Sequence, residues 1–294
     1  MTQIGQNYSL SIVIPAKNEA ENLKRFLPRL LAVVVDAEVI VVNDGSTDDT
    51  LSICEQHDVT VVTHPYSKGN GAAIKMGART AKGEVIVFMD GDGQHKPEDI
   101  SQMLEKLATG YDMAVGARDK QSQADSFRAI ANSVYNWLSS AITGHKILDL
   151  TSGFRAVKAD KFKEFLYLLP NGFSYPTTST MAFSRAGYSV GYMPIQTEQR
   201  LGESHISLLK DGIRFLLIIF KVGTLYSLLK IFLPIAVGFF GIGVINYIYT
   251  YTYTTQSTFT NMSAVLLMTG IIIFFFGLVS EQVTALMYKD SDRD

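Results

Sequence analysis

Glu84-Val-Ile-Val-Phe-Met-Asp90-Gly-Asp92-Gly-Gln94 carries five consecutive apolar residues straight into two carboxylates spaced one residue apart. The apolar run is rich in β-branched types and reads as a strand buried on both faces. Successive side chains of an extended segment point to opposite faces, so Asp90 and Asp92 converge only if the chain turns between them. Gly91 and Gly93 permit that turn. Two acids held together repel unless positive charge sits beside them. A hard divalent cation, Mg²⁺ or Mn²⁺, suits such oxygen ligands and is often completed by substrate phosphates. The same residues read alone are also consistent with a polar turn after a strand. An EF-hand loop is excluded, because its sixth position would be His95 instead of Gly and its twelfth Ser101 instead of Glu.

Working outward, the preceding chain alternates strands and helices. Leu10 to Pro15 is an apolar run closed by proline, and Asn18 stands where a helix N-cap is expected. Ala37 to Val42 is a second strand, followed by Asn43-Asp44-Gly-Ser and a helix over 51–57. Val59 to Thr63 is a third, followed by Lys68-Gly-Asn-Gly71 and a helical stretch to Thr80. Val85 to Met89 is the fourth, and Pro97 opens the next helix. This alternation implies a doubly wound, mostly parallel α/β sheet with ligand sites outside the carboxyl ends of the strands. Three strand ends carry polar loops: Pro15–Glu19, Asn43–Ser46 and Asp90–Gln94. Gly69-Asn-Gly71 is a poor dinucleotide fingerprint, since Ile74 replaces its third glycine.

The ordered set Ser11-Ile-Val-Ile-Pro-Ala-Lys-Asn-Glu19, Val41-Val-Asn-Asp44-Gly-Ser and Met89-Asp90-Gly-Asp92-Gly-Gln-His resembles the sequential motifs of family 2 glycosyltransferases with the GT-A fold. The resemblance covers roughly residues 8 to 207. It implies that Pro15, Ala16, Glu19 and Asp44 contact the nucleoside of a nucleotide-sugar, with Lys68 nearby. It also implies that Asp90, Gly91, Asp92 and Gln94 surround the diphosphate, with Asp90, Asp92 and Gln94 holding the metal. A divalent cation would stabilise the charge that builds on the departing diphosphate.

Further on, Tyr111-Asp-Met-Ala-Val-Gly-Ala-Arg118, Ile147-Leu-Asp149-Leu-Thr-Ser152-Gly-Phe-Arg155 and Gln199-Arg200-Leu-Gly-Glu-Ser204-His resemble motifs of the polyprenyl-phosphate glycosyltransferase and dolichyl-phosphate mannosyltransferase group. The guanidinium fork suits phosphate oxygens. Asp92, Arg118, Arg155 and Arg200 are therefore the expected catalytic set, and Arg128, Ser152, Arg200 and Ser204 the expected holders of an acceptor phosphate. Asp149 is open to a role in orienting that acceptor or to a structural one. Where many members of the family place an acid after Gly-Phe, this chain reads Gly172-Phe-Ser-Tyr-Pro-Thr-Thr-Ser-Thr-Met181. A sugar hydroxyl acceptor needs a base. A phosphate monoester, with a second pKa of about 6, is already anionic near neutral pH.

Composition separates the two ends of the chain. No charged residue occurs from Ile231 to Ser280. As one helix those 50 residues would extend ~75 Å, against a hydrocarbon core of ~30 Å, so the stretch folds back. Two spans are expected, about 231–251 and 262–283, joined by a tyrosine-rich loop without basic residues. Lys210, Arg214, Lys221 and Lys230 precede the hairpin, and Lys289 and Arg293 follow it. The positive-inside rule then puts both ends in the cytoplasm. Residues 208–230 read as an amphipathic, interfacial helix, with Lys210, Arg214 and Lys221 on one side. The expected division is a catalytic domain over 1–207, the interfacial segment, the hairpin within 231–288 and a tail over 289–294. No signal peptide is expected, because the N-terminus lacks a basic and an apolar region. Glycines at 238, 241, 243, 270 and 277 offer close helix contact, including between subunits of a homo-oligomer. Net charge is −2, which argues against a nucleic-acid partner, and the single Cys54 excludes an internal disulfide.

Together these point to an inverting transferase that moves one sugar from a UDP- or GDP-linked donor to undecaprenyl or dolichyl phosphate at the cytoplasmic leaflet. Inversion is implied by the resemblance. A processive polysaccharide synthase of the same fold is disfavoured, because its Gln-x-x-Arg-Trp motif is absent and the only tryptophan is Trp137. A catalytically inactive membrane scaffold is disfavoured by intact Asp44, Asp90 and Asp92.

Overall fold

The computed structural model describes residues 8–118, 126–172, 174–197, 229–253 and 259–289. The chain divides into two compact units, Met1–Ile218 and Ile219–Asp294. In the first, the Val/Ile-rich runs form β1 (Leu10–Ala16), β2 (Glu38–Asn43), β3 (Thr60–Thr63) and β4 (Val85–Phe88), within a residue or two of the sequence reading. Their side chains supply the core: Ile12, Ile14, Val41 and Val87 are fully buried. Each such side chain contributes roughly 1.5–3 kcal/mol relative to exposure. Helices α1 (Ala20–Val33), α2 (Thr50–Glu55), α3 (Asn70–Thr80) and α4 (Ile100–Ala108) connect and flank these strands. On α4, Ile100, Met103, Leu104 and Leu107 are buried, the i, i+3, i+4, i+7 pattern of a helix with one face on a sheet.

Among the described residues the sheet has seven strands in the order β3-β2-β1-β4-β6-β5-β7, with β5 at Met113–Arg118, β6 at Arg155–Lys158 and β7 at Val190–Ile195. The chain winds outward through β1, β2 and β3, then returns to place β4 on the other side of β1. That reversal is the switch point at which open α/β sheets bind ligands. All pairings are parallel except those of β6, which runs antiparallel to both β4 and β5. Phe88 pairs with Arg155 in the β4–β6 register. The antiparallel direction therefore starts β6 where β4 ends, and brings the segment before β6 to the carboxyl end of the sheet. The described residues of this unit also include α5 (Ser126–Thr143), α6 (Ala159–Glu164) and α7 (Tyr175–Arg185).

The second unit contains α8 (Leu229–Tyr253) and α9 (Asn261–Lys289), a hairpin long and apolar enough to cross a membrane twice. Both helices run beyond the spans expected from sequence. Three of the glycines pack within the hairpin: a Cβ at Gly270 would meet the Ala236 carbonyl oxygen at 2.9 Å, and Cβ atoms at Gly243 and Gly277 would press on Leu267 and Phe232. Gly238 and Gly241 have nothing within 4 Å of that position. At the loop end, Asn246 accepts hydrogen bonds from Ser263 (2.9 Å) and Thr260 (3.4 Å). The expected interfacial helix over 208–230, like Arg200 and Ser204, falls almost wholly outside the described residues.

Candidate active site

A cleft of about 630 Å³ opens at the switch point, against the carboxyl ends of β1, β2 and β4. Its wall includes Pro15 and Ala16 at the end of β1, Lys17 and Glu19 just beyond it, Asp44 after β2, and Asp90, Gly91 and Asp92 after β4. The three polar loops singled out in the sequence thus meet in one cavity.

The first two loops are tied to one another. Asn18 takes a left-handed conformation (φ 55°) and does not cap α1. Its side chain instead accepts the Thr47 amide at 2.8 Å, while its own amide donates to the Ser46 hydroxyl. The first amides of the α1 region are met from the neighbouring loop: Glu19 N–H donates to Thr50 Oγ1 and Ala20 N–H to Asp48. Asp44 is buried and accepts four hydrogen bonds, from His64 Nδ1 (2.7 Å), Ser67 Oγ (2.8 Å) and the amides of Lys68 (2.8 Å) and Gly69 (2.9 Å). Burial works against ionisation here, but these bonds outweigh it and hold the carboxyl below its ordinary range. Asp44 therefore anchors the β3–α3 loop as well as lining the cleft. Lys68 serves through its amide, with its ammonium 5.7 Å from the exposed Tyr66 ring. The glycines of Gly69-Asn-Gly71 also find a structural reason. A Cβ on Gly71 would lie 1.9 Å from the Pro170 carbonyl oxygen, and Gly69 adopts φ 100° against Asn171.

At the end of β4, Asp90 is half-buried, its carboxylate 3.4 Å from His95 Nε2. His95 stacks on Phe154 at 4.9 Å. Burial raises the Asp90 pKa, but the His95 contact and the positive fields of Arg118 and Arg155 more than offset it, leaving the carboxyl below the usual range. Asp90 is thus poised as an anion. Gly153 lies so close that a Cβ there would meet Asp90 Oδ2 at 2.8 Å. Asp92 Oδ1 accepts the Gln94 amide at 3.2 Å. Among the described residues no group of three or more His, Cys, Asp or Glu forms a closed metal cage. Two carboxylates on one cleft wall fit a hard cation that takes its remaining ligands from phosphate and water.

Two of the expected arginines are engaged by other groups of the protein. Arg155 is fully buried and absent from the cleft wall. Its Nη1 donates to the Pro176 carbonyl (2.8 Å), Ser179 Oγ (2.7 Å) and Thr180 Oγ1 (3.2 Å), and its Nη2 to the Ser152 carbonyl. Tertiary packing engages this fork with the first turns of α7 and the Ser152 carbonyl, whereas the sequence reading expected it to hold phosphate. Arg118 is paired bidentately with Asp149, Nε to Oδ2 at 2.8 Å and Nη2 to Oδ1 at 3.0 Å, and Nη2 also reaches Thr151 Oγ1 at 2.6 Å. Asp149 is buried, and Arg118 holds its pKa down against the cost of burial. Asp149 thereby fixes the Arg118 guanidinium in place. Ser152 is buried with its hydroxyl unpartnered among the described residues. Arg128 lies on α5, in the part whose side chains are outside the description.

The opposite wall comes from Tyr135 on α5, from Thr151 and Gly153, and from the start of α7 at Ser174, Tyr175, Pro176 and Thr177. Tyr175 donates to the Gly153 carbonyl at 2.8 Å, and Tyr135 to Thr177 Oγ1 at 3.2 Å. No carboxylate stands on the α7 part of the wall. His95, Tyr135, Gly153 and Tyr175 escaped the sequence reading. The available signal was position: His95 and Gly153 stand inside motif stretches quoted from the sequence.

An acidic turn at the switch point of a mostly parallel sheet defines a GT-A architecture. The chain belongs to glycosyl transferase family 2, whose profile matches residues 11–166, and residues 229–286 match the GtrB C-terminal hairpin. An undecaprenyl-phosphate mannosyltransferase of Micrococcus luteus is 30% identical over 210 residues, covering 66% of this chain and 86% of its own. Glycosyltransferase AglJ of Haloferax volcanii is 27% identical over 307 residues, covering 97% of both chains. Among solved structures, glucosyl-3-phosphoglycerate synthase from Mycobacterium tuberculosis, in complex with Mn²⁺, uridine diphosphate and glucosyl-3-phosphoglycerate, aligns with a TM-score of 0.58 at 20% identity, over 72% of this chain and 78% of that one.

Proposed function

We propose that this chain transfers a single sugar from a nucleotide-sugar, UDP- or GDP-linked, to a polyprenyl phosphate, with inversion at the anomeric carbon. The observation that carries the reading is a cleft with two carboxylates on its β4 wall and, among the described residues, no carboxylate on its α7 wall. A metal-assisted donor site beside an acceptor site without a base suits a nucleophile that is already anionic. The acceptor named for the Micrococcus relative points the same way.

Pro15, Ala16, Glu19 and the loop tied to Asp44 would receive the nucleoside. Asp90 and Asp92, with Gln94 adjacent, would hold Mg²⁺ or Mn²⁺, whose contribution is to neutralise charge on the departing diphosphate. Arg118, fixed by Asp149 and Thr151, places a positive field beside Asp90. Arg155 holds the start of α7 in position. A lipid phosphate oxygen forms the new bond to the anomeric carbon as the bond to the nucleoside diphosphate breaks. Arg128, Ser152, Arg200 and Ser204 are assigned to the acceptor phosphate. Residues 1–207 act as the catalytic domain and the hairpin as membrane anchor, with both ends in the cytoplasm, a placement that the distribution of Lys and Arg supports.

The test is transfer from a panel of labelled sugar nucleotides to undecaprenyl and dolichyl phosphates by the full chain in detergent, with Mg²⁺, Mn²⁺ or chelator, and with Asp92→Ala. A chloroform-soluble product that disappears with chelator and in the variant supports the proposal. Nucleotide hydrolysis without lipid product under any donor overturns the acceptor assignment.

A further inference from the structure

His95 and Asp90 stand side by side with side chains 6% and 36% exposed. The histidine ring is set by the turn that carries it. Gly93 reverses the chain with φ 71°, Asp92 Oδ1 holds the Gln94 amide across the bend, and Pro97 ends the bend by opening a single helical turn. The ring then lies on Phe154, with centroids 4.9 Å apart and planes 19° from parallel. Phe154 is itself fully buried, and its carbonyl accepts the Gly116 amide of β5 at 3.0 Å. This stack ties the acidic turn after β4 to the core of the sheet.

The two ring nitrogens meet different surroundings. Nε2 lies 3.4 Å from Asp90 Oδ2, while Nδ1 is buried with no partner among the described residues. A proton on Nε2 gives the carboxylate a donor and leaves only a lone pair at Nδ1, the less costly group to bury unpaired. A proton on Nδ1 would strand a buried N–H and turn a lone pair toward the carboxylate. Phenylalanine would fill the same space against Phe154 with no orphan atom, so packing alone does not call for histidine here. The Asp90 carboxylate is also bounded by Gly153, where a Cβ would crowd Oδ2 at 2.8 Å and Oδ1 at 3.2 Å. We propose that His95 is a positioning residue for the divalent cation: Nε2–H donates to Asp90 Oδ2, fixes the carboxylate and leaves Oδ1 to the metal. The proposal rests on the metal-assisted reading given above, in which Asp90 is a ligand. At 3.4 Å the contact is long for an N–H···O bond, and bonds of this kind commonly tighten when the site is filled.

Mn²⁺ affinity tests this without turnover. It would be measured on the full chain in detergent from the free-ion electron paramagnetic resonance signal, with UDP or GDP present and nucleotide-only controls. His95→Phe keeps the stack and removes the donor, whereas His95→Gln returns an N–H near the place of Nε2 without the ring. Loss of a group that orients a metal ligand costs about 10–100-fold in affinity, so His95→Phe should bind Mn²⁺ about tenfold more weakly and His95→Gln within about threefold of the parent. The thermal midpoint of His95→Phe without metal should not fall. Phe154→Leu withdraws the support beneath the ring. It should weaken Mn²⁺ binding too, and add nothing on top of His95→Phe, because both act on one contact. Unchanged Mn²⁺ affinity in His95→Phe overturns the positioning role. So does a loss that His95→Gln fails to recover, which would make His95 a packing residue. If the phenylalanine variant does not fold, His95→Gln is compared with His95→Leu and read the same way. A parent chain that binds no Mn²⁺ with either nucleotide overturns the metal reading and this role together. Parent binding that survives intact in every variant overturns this role alone.

Discussion

Replacing Asp149 by Asn isolates what its carboxylate does for Arg118. Oδ1 receives the amides of Thr151 and Ser152 as well as Arg118 Nη2, while Oδ2 receives Arg118 Nε at 2.8 Å and the Arg118 amide at 3.3 Å. Asparagine keeps an oxygen for the turn amides and sets its NH₂ against the Arg118 donors. Breaking a wholly buried ion pair costs about 3–5 kcal/mol. Here the aspartate is 5% exposed but the arginine 30%, so water can recover part of the loss. The expected destabilisation is about 2–3 kcal/mol, close to one charge-assisted hydrogen bond. Arg118→Met, which strands a buried carboxylate, should cost more. Combined, the two changes should cost roughly 2 kcal/mol less than their sum, because each removes the same interaction. Urea unfolding of the full chain in detergent, followed through Trp137, provides the assay, since α5 is bonded to the segment carrying Asp149. Effects that add within about 0.5 kcal/mol would refute the coupling and return Arg118 to the free phosphate ligand that the sequence suggested.

Gly71→Ala drives a Cβ to 1.9 Å from a backbone oxygen that no rotamer change can move; overpacking of this kind costs about 1–3 kcal/mol and should lower the midpoint of thermal unfolding. Gly153→Ala meets only the Asp90 carboxylate, the end of a movable side chain, so thermal stability should change little while KM for the donor and the Mn²⁺ requirement rise. Acid stability follows from Asp44, Asp90 and Asp149, all held below the ordinary carboxylate range. A lowered folded-state pKa gives stability that is complete above the unfolded value of about 3.9 and is lost as pH falls through the folded values. Urea midpoints should therefore be flat with respect to these groups from neutral pH down to about 5 and drop below pH 4, and Asp149→Asn should flatten that drop.

Sequence alone determined the parts of this protein that depend on local rules. Strands β1 to β4 were legible because runs of Val and Ile meet Pro, Asn or Asp at their ends. The membrane hairpin was legible because 50 uncharged residues exceed what one span can hold. The acidic turn after β4 announced its chemistry through two carboxylates separated by one glycine. Tertiary structure decided which of the remaining polar groups face the ligand. Arg155 and Arg118 carry the same fork, and nothing local separates one buried under α7 from one paired at the cleft's edge. Strand β6 is only four residues long and begins and ends with a basic residue, so its sequence shows no strand period. Yet its antiparallel pairing brings Gly153 against Asp90 and Asp149 against Arg118. Hydrophobic period and turn chemistry act between neighbours in the chain; which charges are desolvated, and by whom, is set by contacts between residues dozens of positions apart.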